Sequence, residues 1–162
     1  MRSKFLFALS FMFVVSCKQE PKTNYMPLDL MSHGIPLTIM APPEATVKVT
    51  DLKVMKDLTI KKEDDNYDIQ LYASSTNSSD IGQLKAERLS DVKKNPYFTK
   101  IISEESQGFI YEKVLDSIPY YAFNYVYLQG DQEYIFQTGY TSLFKLEDVQ
   151  NMYKAVQQDT KK

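Results

Sequence analysis

The chain has 162 residues, and its 19 Lys and Arg against 21 Asp and Glu give a formal net charge of −2. That balance supplies no strongly basic surface, so nucleic acid is excluded as an expected partner, and a single Cys excludes an intramolecular disulfide framework. Aromatic area comes from 12 Tyr and 9 Phe with no Trp, mostly from a side chain that can bury its ring and keep its hydroxyl wet.

The chain opens with Arg2 and Lys4, followed from Phe5 to Val15 by an apolar run interrupted only by Ala8 and Ser10. This is the layout of a secretory signal, and the run is shorter than the roughly 20 apolar residues a membrane span needs. Val14, Val15, Ser16 and Cys17 then resemble the lipobox of bacterial lipoproteins. The resemblance implies cleavage before Cys17, a diacylglycerol on its sulfur and acylation of the new amino group. It also explains the lone cysteine, since a free thiol has no partner in an oxidising compartment. Several acyl chains make a stable anchor, so the expected localisation is the cell envelope, on a membrane without crossing it. Lys18 at the second position implies the outer membrane, with its face left open.

Residues 1–16 are therefore expected to leave as signal peptide. The remaining 146 residues suffice for one domain and carry a net charge of −4 once Arg2 and Lys4 are gone. Lys18 to Gly34 is polar, contains Pro21 and Pro27 and shows no sustained period, so residues 17–34 read as the lipidated Cys and a flexible tether. Such a tether would hold the domain roughly 20–25 Å from the lipid on average.

From Ile35 the pattern changes to short β-type runs: PLTIM, ATVKVTD, LTIKK and YDIQLYAS, with KEDDNYD as a hairpin loop between the last two. SSDIGQLKAERLSDVKKNP predicts a helix, capped by Ser79 or Asp80, with Ile81, Leu84, Leu89 and Val92 on one face and Pro96 ending it. YFTKII, GFIYEKVL, YYAFNYVYL and EYIFQTGYT read as strands, and KLEDVQNMYKAVQQ as a second helix with Leu146, Val149, Met152, Tyr153 and Val156 on its stripe. The expected fold for residues 35–162 is a single α+β domain, a mostly antiparallel sheet of about six strands with two helices, resembling an α-β-α sandwich.

Gly130-Asp131 suits a two-residue type II′ turn, which needs Gly first. Folding there places Tyr127 opposite Tyr134, Tyr125 opposite Phe136, Phe123 opposite Thr138 and Tyr121 opposite Tyr140, an aromatic slab on one side of the sheet. The slab is the candidate face for a ligand or partner, or else the floor beneath the C-terminal helix. The opposite side, with Ala122 and Gly139, is flat enough for a helix to lie close.

Catalytic chemistry finds little support. His33, the only histidine, sits between Ser32 and Gly34 without a rigid supporting shell, which disfavours a Ser-His-Asp triad. Asp64, Asn66 and Asp68 begin like an EF-hand loop, but Ile69 replaces the turn glycine and Ser75 the bidentate Glu, so no metal is expected. Ser90 with Lys93 and Ser142 with Lys145 match S-x-x-K without its partner motifs. Asp116-Ser117-Ile118 is similar to the D-S/T-aliphatic sequon of exported bacterial glycoproteins.

The order of elements, ending in Phe144 and the LEDVQNMYKAVQ helix, resembles the PsbP-like domains and the DcrB-like lipoproteins over about residues 35–158. The resemblance implies an α-β-α sandwich acting as an accessory factor for a larger complex, and it transfers no site residues. The expected function is a non-catalytic, cofactor-free envelope lipoprotein. It would bind the membrane through its lipid and an envelope protein through its domain; the alternative is a small-ligand module using the tyrosine-rich hairpin, and a hydrolase is less favoured.

Overall fold

The computed structural model describes residues 23–158, so the signal segment and Cys17 lie outside the described residues. The order is β1 (Met26–Asp29), a 3-10 turn (Met31–His33), β2 (Thr38–Ala41), β3 (Thr46–Asp51), β4 (Met55–Lys62), a second 3-10 turn (Glu63–Asp65), β5 (Tyr67–Ser75), α1 (Ile81–Lys93), β6 (Phe98–Glu104), β7 (Gly108–Leu115), β8 (Ile118–Gln129), β9 (Gln132–Thr138) and α2 (Leu146–Val156). β1 and β2 pair as a small antiparallel sheet. The main sheet runs β3-β4-β5-β9-β8-β7-β6, every neighbour antiparallel. The fold is thus α+β with a mostly antiparallel sheet and two helices; the main sheet has seven strands where about six were expected.

Alternation along the strands separates two unequal faces. On one, Leu58, Ile60, Ile69, Leu71, Phe123, Tyr125, Tyr134 and Phe136 form the main core beneath α2, whose Val149, Met152, Tyr153 and Val156 are buried on the predicted stripe. The β1–β2 sheet completes this cover: Ile39 and Ala41 are buried, and the Tyr67 hydroxyl donates to the Met40 carbonyl at 2.9 Å. On the other face α1 crosses β8, and Leu89 and Val92 pack on Phe109, Tyr111 and Ala122. Asp80 caps α1 by accepting the Gln83 N–H at 3.0 Å. Of the four predicted contact residues only Leu84 is buried, while Ile81, Leu89 and Val92 are half-buried, so α1 lies loosely on its sheet.

The folded domain begins before Ile35. β1 lies inside the span expected to be flexible, Leu30 is fully buried, and Tyr25 meets Tyr67 edge-on at 5.2 Å. Residues 26–34 therefore belong to the domain. Pro27 sits in a strand of the two-stranded sheet that pairs on one side only, where its missing N–H breaks no central ladder. His33 is half-buried in a 3-10 turn closed by Gly34 at φ +73°.

The β8–β9 register follows the turn as expected: Gln129 pairs with Gln132, Tyr127 with Tyr134 and Tyr125 with Phe136, with Gly130 at φ +63°. The ladder stops at Asn124 and Gln137. Tyr121 pairs with Phe144 instead of Tyr140, its N–H reaching the Phe144 carbonyl at 3.0 Å. Residues 139–143 part from β8 but stay tied to Asp68 of β5, in register with the Ile69–Thr138 pair. The Asp68 carbonyl accepts the Gly139 N–H at 2.8 Å, and its carboxylate accepts the Thr141 hydroxyl at 2.8 Å.

Candidate functional site

The aromatic slab is a floor. Phe123, Tyr125, Tyr134 and Phe136 are buried, Tyr121 and Tyr127 half-buried. The Tyr153 ring of α2 stands edge-on to Phe123 at 5.7 Å and to Tyr125 at 6.0 Å. The Tyr125 hydroxyl is engaged as well: it donates to Gln107 Oε1 at 3.2 Å and accepts the Gln158 N–H at 3.1 Å. The four buried rings present no broad open face to a ligand, while Tyr121 reaches the edge of a cleft. Tyr140 alone among the seven candidates is exposed, at 76 %.

Tyr140 belongs to a different feature. The excursion of residues 139–143 raises a wall opposite the C-terminal half of α1, and the loosely seated helix leaves a cleft of about 500 Å³ between them, within the size range of small-molecule sites. Its floor is the α1 face of β7, β8 and β9, with Tyr111, Lys113, Ala122, Asn124 and Gln137. Arg88, Asp91 and Val92 come from α1, and Tyr97, Tyr140 and Leu143 stand at the mouth with side chains largely in solvent.

The polar groups of the cleft are unevenly matched. Tyr140 is oriented by Gln137, whose amide donates to its hydroxyl, and by the Tyr72 hydroxyl at 3.4 Å. Asp91 is held by Lys94 at 3.0 Å, which keeps its carboxyl below the usual carboxylate range. Lys113 lies 5.3 Å from the Tyr111 ring centroid and 5.7 Å from that of Tyr120. Burial lowers its amine from the ordinary lysine value and raises the Tyr111 phenol. The Arg88 Nε is buried without a hydrogen-bond partner. Among the described residues no cluster of His, Cys, Asp and Glu could hold a metal.

Asp64 and Asn66 form the β4–β5 turn, with Asn66 in the left-handed region, and Asp68 serves the 139–141 excursion. Arg88, Lys113, Asn124 and Gln137 escape a reading along the chain because the cleft assembles them from separate elements. The only local signal is the pair of polar residues Asn124 and Gln137 facing each other between apolar neighbours. No protein-family model matches the chain, and no curated protein or solved structure matches it.

Proposed function

We propose that the chain is a lipid-anchored protein of the bacterial cell envelope, bound to the membrane through Cys17, whose single α+β domain binds a ligand without catalysing a reaction. The lipobox resemblance supports the anchor. The cleft carries the binding reading: a concave space of about 500 Å³ with polar groups converging on its floor and exposed aromatic and aliphatic side chains at its mouth. The alternative binding face, the slab, is occupied by α2.

A second reading, an accessory factor docking on an envelope protein, is favoured by the β3–β4 hairpin tip, where Val54 is 82 % exposed beside exposed Leu52. Confinement to a membrane would raise its effective concentration near such a partner. A photoreactive amino acid placed at Leu143 or at Val54 in the native host separates the two. Specific adducts from position 143 alone support the cleft, a protein adduct from 54 alone supports the docking factor, and no adduct from either contradicts both.

A further inference from the structure

We infer that the cleft takes a small amphiphilic anion, a carboxylate, sulfonate or phosphate carried on an apolar body. The inference rests on the cleft being the recognition site and adds the chemistry of what enters it.

Two cations line the cleft, Arg88 from α1 and Lys113 from β7, and among the described residues neither forms an ion pair. A partly desolvated charge is costly without a counter-charge: Lys113 has the two tyrosine rings beneath it and no carboxylate paired with it, and Arg88, though Asp91 and Glu133 lie within reach of its charge, has no acceptor at its Nε. The lowered amine of Lys113 agrees. The one carboxylate in the lining, Asp91, is already held by Lys94. Glu133 of β9 lies near enough for the Arg88 charge to act on its carboxyl but forms no ion pair with it. The forked N–H donors of a guanidinium suit a planar or tetrahedral oxyanion.

The mouth asks for the other half of the ligand. Tyr97, Tyr140 and Leu143 project apolar surface into solvent around the opening, and a ligand with an apolar body would cover them once its charged end reached the floor. A bare inorganic anion would leave them wet, and a neutral apolar molecule would leave both cations unmatched.

The test uses the full mature chain in nanodiscs of zwitterionic lipid, with empty discs as blank, and calorimetric titration with naphthalene-1-sulfonate, its neutral analogue naphthalene-1-sulfonamide, and inorganic sulfate. The sulfonate is expected to bind at least tenfold more tightly than either of the others. Arg88→Gln and Lys113→Gln, each checked for unchanged melting temperature, should each weaken the sulfonate at least fivefold and leave the sulfonamide unchanged; Leu143→Ala should weaken the sulfonate while leaving sulfate unchanged. Equal binding of sulfonate and sulfonamide, insensitive to Arg88 and Lys113, overturns the anion assignment and leaves the cleft in place. Sulfate binding as tightly as the sulfonate overturns the apolar body, and binding of none of the three overturns the cleft reading itself.

Discussion

Gly139 and Asp68 decide where the sheet ends and the cleft wall begins. A Cβ at Gly139 would lie 2.0 Å from Asp68 Oδ1 and 2.1 Å from its Cγ, and Asp68 is almost fully buried, held by the Thr141 hydroxyl. Gly139→Ala should therefore cost about 1–3 kcal/mol in urea unfolding, since the carboxylate must move and lose that bond. In an Asp68→Ala background the same change should cost less; strictly additive costs would contradict the clash. A second residue-scale expectation concerns the buried phenols. Burial raises Tyr67, Tyr111, Tyr125, Tyr134 and Tyr153 above the ordinary tyrosine value, and Tyr25 to about 12. The folded state then holds protons that the unfolded chain releases near pH 10, so the stability these groups contribute is complete below pH 10 and lost as pH rises above it. Absorbance at 295 nm should show these tyrosines ionising together with alkaline unfolding, and their titration near pH 10 in a still-folded protein would contradict the burial.

Among the elements, the β7–β8 hairpin turns on Asp116 and Ser117, both exposed and both left-handed at φ +50° and +67°. Two positive φ angles in a two-residue turn favour Asn-Gly, and Ser117 bears the steric cost of a Cβ there. Ser117→Gly should stabilise the domain by about 1 kcal/mol in chemical denaturation, and a loss of stability would show that Ser117 makes a contact that outweighs its strain. The β8–β9 hairpin was legible in the sequence because Gly130 fixes the register and strict alternation carries it to Tyr125 and Phe136. Legibility failed beyond Gln137, where alternation continues on paper through Tyr140 but the chain parts from β8 while Gly139 and Thr141 stay bonded to Asp68 of β5. β1 escapes such a reading because four residues including a proline are too few to show a period, and they are ordered by pairing with β2 and by Leu28 packing on the core rather than by local preference. Helix α2 was plain since its stripe is strongly amphipathic, whereas α1 kept its predicted cap but buries only Leu84, and the space it leaves was not foreseeable from its own residues.

For the whole molecule, the early start of the domain shortens the segment between Cys17 and the fold. Between Cys17 and Met26 lie only residues 18–25, a span of no more than roughly 30 Å fully extended, so a lipid on Cys17, as proposed, would keep the β1–β2 sheet within that distance of the lipid surface. No helix among the described residues is long and apolar enough to cross a membrane, and the proposed attachment depends on one residue, Cys17. The most direct measurement is the intact mass of the chain recovered from the membranes of its native host, beside a Cys17→Ala variant. A lipid-anchored chain should show a wild-type mass of residues 17–162 plus acyl chains and a variant that keeps residues 1–16. A wild-type mass without lipid would contradict the anchor and leave the cleft on an exported domain that diffuses freely.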